Sequence, residues 1–160
     1  MSAYLGIDPD TRRIAWALIR DSKVIDIGAI PRKSAVDNFN IDYPASVGYL
    51  LARNTGAMVY IEDVYVQRNV RTYGVLCEVR GELKMIARKQ DIRPVFVMPD
   101  AWRRVVFGKP LKGADRAPAE MEYAQKLCSG EYSAHVAAAI CIAAYGCMMG
   151  EEQEGDGDVA

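Results

Sequence analysis

Apolar and polar positions alternate from the start of the chain. Residues 3–8, AYLGID, form a short apolar run that ends on an acid, and residues 13–20, RIAWALIR, alternate well enough to pair with it as a second strand. A third strand follows at 23–30 after the polar break Asp21-Ser22, so the first thirty residues predict an antiparallel meander. Residues 32–43 are polar and loop-like. Pro44 then opens a short helical pattern through Val47, Leu50 and Leu51, closed by Asn54 to Gly56, and AMVYI at 57–61 reads as a buried strand. From Val70 to Arg88 the apolar residues recur at helical spacing, predicting the longest helix. RPVFV at 93–97 reads as a last strand, Pro99-Asp100 opens the short helix AWRRVVF, and the basic loop GKPLKG follows. Asp115 is placed to cap the next helix with Pro118 in its first turn, and Ser129-Gly130 ends it. The final helix, about 132–148, is apolar on nearly all sides and belongs deep against the sheet.

The order β-β-β-α-β-α-β-α-α-α predicts an α/β fold in which a mixed five-stranded sheet, three antiparallel strands and then parallel ones, is flanked by helices. One domain is expected over 1–150, followed by an acidic, disordered tail at 151–160. Apolar residues make up 51% of the chain and charged residues 26%, the balance of a globular protein. No apolar run reaches the roughly 18 residues of a membrane span. The N-terminus lacks the pattern of a secretory leader, so a cytoplasmic setting is expected. Cys77, Cys128, Cys141 and Cys147 have no metal-binding spacing and read as reduced, buried thiols.

Charge changes the picture. The net charge is −1, but five of the 21 acids lie in the last ten residues. Residues 68–116 carry 12 Lys and Arg against five Asp and Glu, an excess suited to neutralising phosphates or, equally, to a solvated pair of helices.

Two acids occupy places where chemistry is usually built. Asp8 ends the first strand and Glu62 ends AMVYI, so neighbouring strands would bring both carboxylates together. Paired carboxylates that also receive a phosphate are what Mg²⁺ requires, and two such ions serve phosphodiester cleavage. Either acid alone would be an ordinary turn or cap residue.

YLGIDPDTRRIAWALI resembles the first strand and hairpin of RuvC-like Holliday junction resolvases, members of the RNase H-like nuclease superfamily, and VYIEDVYVQRNVRTYGVLCEVRGEL resembles that family's second block. The likeness covers most of residues 3–148, weakly over 32–56. It implies a nuclease that uses Mg²⁺, with Mn²⁺ as substitute and two ions in the intact enzyme, and that nicks four-way DNA junctions as a homodimer. A phage member of the family is one possible source. Carried over by position, Asp8 and Glu62 match metal ligands and Tyr65 the aromatic that contacts junction bases. Arg68 and Asn69 match polar residues facing DNA. In KGADRAPAE, Lys112 and Arg116 match basic residues near the scissile phosphate, with Lys109 as a substitute. Asp10 stands where the family has Gly, and Asp63 is expected to point away from Glu62. GID also opens actin-like and sugar-kinase folds, but the second domain and the glycine-rich phosphate loop those require are not found.

The last helix departs from the family. Its two ligand positions, three residues apart, fall on His135 and Ala138, and Ala138 has no donor. Position 138 is read as an inactivating replacement, with natural loss of activity and substitution by Glu131 one turn earlier as the other readings. A shifted register would set Tyr132 and His135 on the two positions. The alternative function is a catalytically inactive junction-binding protein. In either case the chain is expected to bind junctions better than it cuts them.

Overall fold

The computed structural model describes residues 2–32, 43–66 and 68–155. In chain order it contains β1 (Ala3–Pro9), β2 (Arg13–Arg20), β3 (Lys23–Pro31), α1 (Tyr43–Arg53), β4 (Met58–Glu62), α2 (Val70–Arg88), β5 (Val95–Val97), α3 (Pro99–Phe107), α4 (Gly113–Leu127) and α5 (Ala134–Gly155). The strands form one sheet in the order β3-β2-β1-β4-β5. The β1-β2-β3 meander is antiparallel, and β4 and β5 add in parallel. The mixed five-stranded sheet expected from the pattern, three antiparallel strands and then parallel ones, is the observed one. Asp21 and Ser22 both have positive φ (49° and 60°), the backbone that a tight two-residue hairpin needs.

The two-residue period of β1 sorts its side chains between two layers. Leu5 and Ile7 join Trp16, Leu18, Val59 and Ile61 in a core closed by α1 and α2. Gly6 faces the other way, toward α5, and its missing side chain is structural. A Cβ there would lie 2.3 Å from the Ala139 carbonyl oxygen and 2.4 Å from the Ala143 nitrogen. Ala15 and Ala17 on β2 meet Ala137, Ala139, Ala143 and Ala144 of α5 in the same layer. Small residues on both sides therefore let α5 lie close over the end of β1. That close approach positions the site.

Several local expectations are corrected. The helix read from Asp115 begins at Gly113, with Lys112 at its N-cap, so Asp115 is a first-turn residue and not the cap. Pro118 consequently sits deeper in the helix, where it forgoes one backbone bond. The strand predicted from residue 93 starts at Val95, after Pro94, which cannot donate to a ladder. Helix α5 starts at Ala134 and continues through Gly155, into the first half of the stretch read as a disordered tail. Of the four free cysteines only Cys141 is buried. Cys77 is exposed, because it lies on the face of α2 opposite Val79 and Leu83. Most of the predicted polar loop, residues 33–42, lies outside the described residues, as do 156–160. No described helix is long and apolar enough to cross a membrane.

Candidate active site

Ile7 pairs with Ile61 in the parallel β1-β4 ladder, so the next residues, Asp8 and Glu62, emerge side by side. The alternation that turns Gly6 toward α5 turns Asp8 the same way. Asp8 is 7% exposed. His135, in the first turn of α5, places Nδ1 2.9 Å from Asp8 Oδ2 and Nε2 3.6 Å from Asp10 Oδ2. A cleft of about 230 Å³ opens between them, lined by Asp8, Asp10, Glu62, Tyr65, Thr72 and His135 among others.

Glu62 is held from behind. Trp102 of α3 donates its indole N–H to Oε2 at 2.7 Å, and Arg103 Nη2 lies 3.8 Å from the same oxygen. Arg103 Nε donates to Oε1 of Glu120 on α4 at 2.7 Å. Burial pushes the Glu62 carboxyl up to about 7, and the adjacent Asp8 charge adds to the shift. Burial likewise raises Asp8, although its bond to His135 opposes the change. That bond holds the His135 pKa above its usual range. Glu120 is raised by burial, with Arg103 opposing. These acids share a low-dielectric pocket in which an added cation would stabilise their charged forms.

The fit to a divalent ion follows from the oxygens left over. The hydrogen bonds to Asp8 and Glu62 fall on Oδ2 and Oε2, and among the described residues Oδ1 and Oε1 accept none. Hard carboxylate oxygens at adjacent strand ends suit Mg²⁺, which keeps several water or phosphate ligands. Among the described residues no three histidine, cysteine or acidic side chains could hold an ion by themselves. Substrate and water oxygens would have to complete the shell.

The structure brings only part of the expected set together. Tyr65 follows β4 at the mouth of the cleft, 42% exposed, and also lines a small pocket with Met98, Pro99, Asp100 and Arg116. Arg116 is tied to Asp100 at 3.2 Å and to the Leu111 carbonyl oxygen. Lys109 and Lys112 are exposed in the α3–α4 connection and do not line the cleft. Arg68 is exposed. Asn69 caps α2, its Oδ1 accepting from the Arg71 and Thr72 amides. Glu131 is exposed and precedes α5, because the helix begins only at Ala134; it is not a helical turn away from the site as expected. Tyr132 is likewise outside the helix and donates to the Cys128 carbonyl. Asp10 serves a turn, accepting from the Thr11 amide at 2.7 Å, and its φ is not positive. Asp63 points into a pair with Arg80, as expected of a neighbour of Glu62. Ala138 is buried, three residues beyond His135.

Trp102, Arg103 and Glu120 join the site although the sequence pattern does not mark them as site residues. A signal was present: Arg103 and Glu120 are charges placed on helix faces that otherwise bury apolar residues.

An RNase H-like sheet with paired carboxylates at the ends of its central strands defines a metal-dependent nuclease class. The family model described as crossover junction endodeoxyribonuclease RuvC matches residues 4–145, and the chain belongs to that family of Holliday junction resolvases, nucleases of recombination and repair. Among solved structures, Thermus thermophilus RuvC in complex with Holliday junction substrate is 15% identical with a TM-score of 0.74, covering 94% of this chain and 97% of that one. A second Thermus thermophilus RuvC structure is 14% identical with a TM-score of 0.71, covering 92% and 96% respectively. At these identities the likeness is one of fold. No curated protein sequence matches significantly.

Proposed function

We propose that this chain, acting through a single domain at residues 1–150, binds four-way DNA junctions and hydrolyses phosphodiesters within them. The observation that carries the reading is the emergence of Asp8 and Glu62 side by side under α5, with His135 bonded to Asp8. Asp8 and Glu62, with His135 and with water and substrate oxygens completing the shell, would hold Mg²⁺, or Mn²⁺ in its place, with a second ion in a form that has a carboxylate at position 138. When bound, such ions activate water and neutralise charge on the leaving oxygen. The chain's own residues shape what enters. Tyr65, exposed at the mouth, offers a ring on which an unpaired base stacks. Arg68, Asn69, Lys109, Lys112 and Arg116 lie on the basic stretch outside the cleft and contact backbone phosphates of the junction, Lys112 and Arg116 on the side of the scissile one. The protein works in the cytoplasm.

Two symmetric strands call for two symmetric sites, and α2 supplies the surface for a homodimer. Opposite its buried residues, Val70, Gly74, Cys77, Gly81 and Met85 form an exposed stripe of small and apolar side chains. Such a stripe permits close helix approach across a two-fold axis.

Ala138 favours a second reading, a protein that binds junctions without cutting them. The deciding experiment is nicking of a synthetic four-way junction against matched duplex, in Mg²⁺ and in Mn²⁺, by this chain and its Asp8→Asn and Ala138→Asp variants. Cleavage lost in Asp8→Asn and increased in Ala138→Asp supports the nuclease. Junction affinity without cleavage in any of them selects the binding protein.

A further inference from the structure

Glu120 is a buried acid that the proposed function leaves without a role. It is 5% exposed, on the α4 face that meets α5, where the Cys141 thiol donates to its backbone carbonyl at 3.6 Å. Ala138 lies midway between His135 and Cys141, three residues from each. This strip of α5 thus runs from Asp8 at one end to Glu120 at the other. Between Glu120 and Glu62 stands the Arg103 guanidinium, with Nε 2.7 Å from Glu120 and Nη2 3.8 Å from Glu62.

An ion pair this deeply placed is poor evidence of stabilisation, since apolar side chains of similar size usually do as well. Its geometry does control Glu62. Arg103 is closer to Glu120 and only loosely engaged with Glu62, whose Oε2 is already satisfied by Trp102. Without the Glu120 charge, the guanidinium would have Glu62 as its nearest buried counterion and would close on it. The charge balance points the same way. Glu62 and Glu120 share one guanidinium, so the Glu120 charge offsets that of Arg103 and leaves the carboxylates of Glu62 and its neighbour Asp8 to a cation.

We propose that Glu120 is a positioning residue of the site. By holding Arg103 it keeps Glu62 open to a cation, and from α4 it supplies negative charge that α5 lacks at Ala138. The inference rests on Asp8 and Glu62 being metal ligands.

Its test is Mn²⁺ affinity of the full chain without DNA, measured by calorimetry. Glu120→Gln is expected to weaken binding by about tenfold, the scale of one unit charge acting at short range. Adding Arg103→Gln to that variant removes the competing cation and is expected to restore most of the affinity. Unchanged affinity in Glu120→Gln, or a loss that Arg103→Gln does not relieve, would assign Glu120 a purely structural role and overturn the proposal. Asp8→Asn separates the two levels: Mn²⁺ binding that survives it overturns the metal reading itself. Binding lost in Asp8→Asn but intact in Glu120→Gln overturns only the role of Glu120. If Glu120→Gln does not fold, Glu120→Asp keeps the charge and retracts it by one methylene. It is expected to lower Mn²⁺ affinity and to shift the Trp102 indole N–H resonance, because Glu62 moves. If neither changes, the proposal is overturned.

Discussion

His135 Nδ1 and Asp8 Oδ2 stand 2.9 Å apart, joining the first turn of α5 to the end of β1 across 127 positions of sequence. The pair does two things. It anchors the close-packed helix, and it sets the only histidine of the chain beside the best buried acid of the cleft. His135→Ala is expected to destabilise the metal-free protein by about 1–3 kcal/mol, the cost of leaving a buried acceptor without its partner. It is also expected to weaken Mn²⁺ binding. Urea unfolding with and without Mn²⁺ measures both. An unchanged Mn²⁺-linked stabilisation would remove His135 from the ligand set.

The raised acids make the metal-free protein sensitive to pH in a defined direction. The Glu62 carboxyl is pushed up to about 7, above its unfolded value, so the folded state binds that proton more tightly than the unfolded chain. Its contribution is therefore fully present at low pH and is lost as pH rises through 7. His135, also raised, acts with the same sign. Stability in EDTA should fall between pH 5 and pH 8, by up to about 3 kcal/mol from the coupled pair of Glu62 and Asp8. Saturating Mg²⁺ should flatten the slope, because the ion favours the ionised carboxylates. Thermal melts at both pH values, with EDTA and with Mg²⁺, test this; stability that does not fall with pH in EDTA would mean that Glu62 keeps an ordinary carboxylate pKa in the folded chain.

What was legible in the sequence was what depends on local pattern. The strands that carry Asp8 and Glu62 follow from apolar runs ending on an acid; that the two strands are neighbours is a condition the sequence leaves open, and the parallel β1-β4 ladder meets it. His135 and Ala138 follow from the resemblance of the last helix to the family's ligand helix, the three-residue spacing putting both on one face. Residues whose roles come from long-range packing were misread or missed. Trp102, Arg103 and Glu120 meet only because α3, α4 and β4 converge, and no short-range pattern encodes that convergence. Asn69, expected to face DNA, also caps α2 through Oδ1, a local role that its place just before a helical run already suggests. Glu131 was assigned to a helical turn because the start of α5 was set two residues too early.

Cys77 turns the proposed homodimer into a chemical test. It lies near the middle of α2, exposed, between Gly74 and Gly81 on the outward stripe. If two copies of this face meet across a two-fold axis, the Cys77 residues approach each other, and a disulfide requires Cα atoms within about 7 Å. Mild oxidation should then yield a covalent dimer that reductant reverses and Cys77→Ser abolishes. Gly81→Leu should shift the sedimentation profile toward monomer by separating the helices. A dimer that neither crosslinks nor responds to Gly81→Leu would have its interface elsewhere.

Ala138→Asp tests the whole assignment at one atom group. Ala138 is 6% exposed and three residues beyond His135, whose ring meets Asp8, so an Asp side chain there is expected to be buried toward Asp8 and Glu62. Without a cation, a further buried carboxylate adds repulsion and desolvation, so the metal-free variant should be less stable than the parent by about 1–3 kcal/mol at pH 8. That deficit should shrink at pH 5, where the new acid takes up a proton. Mg²⁺ should reverse it: a cleft with one more hard oxygen binds the ion more tightly, and ligand-linked stabilisation grows by about 1.4 kcal/mol for each tenfold gain in affinity. Nicking of four-way junctions should rise in step. Melting curves with EDTA and with Mg²⁺ measure the stability change before any activity assay. A deficit that Mg²⁺ leaves untouched would mean that position 138 does not face the ion, and that the helical register joining it to His135 is wrong.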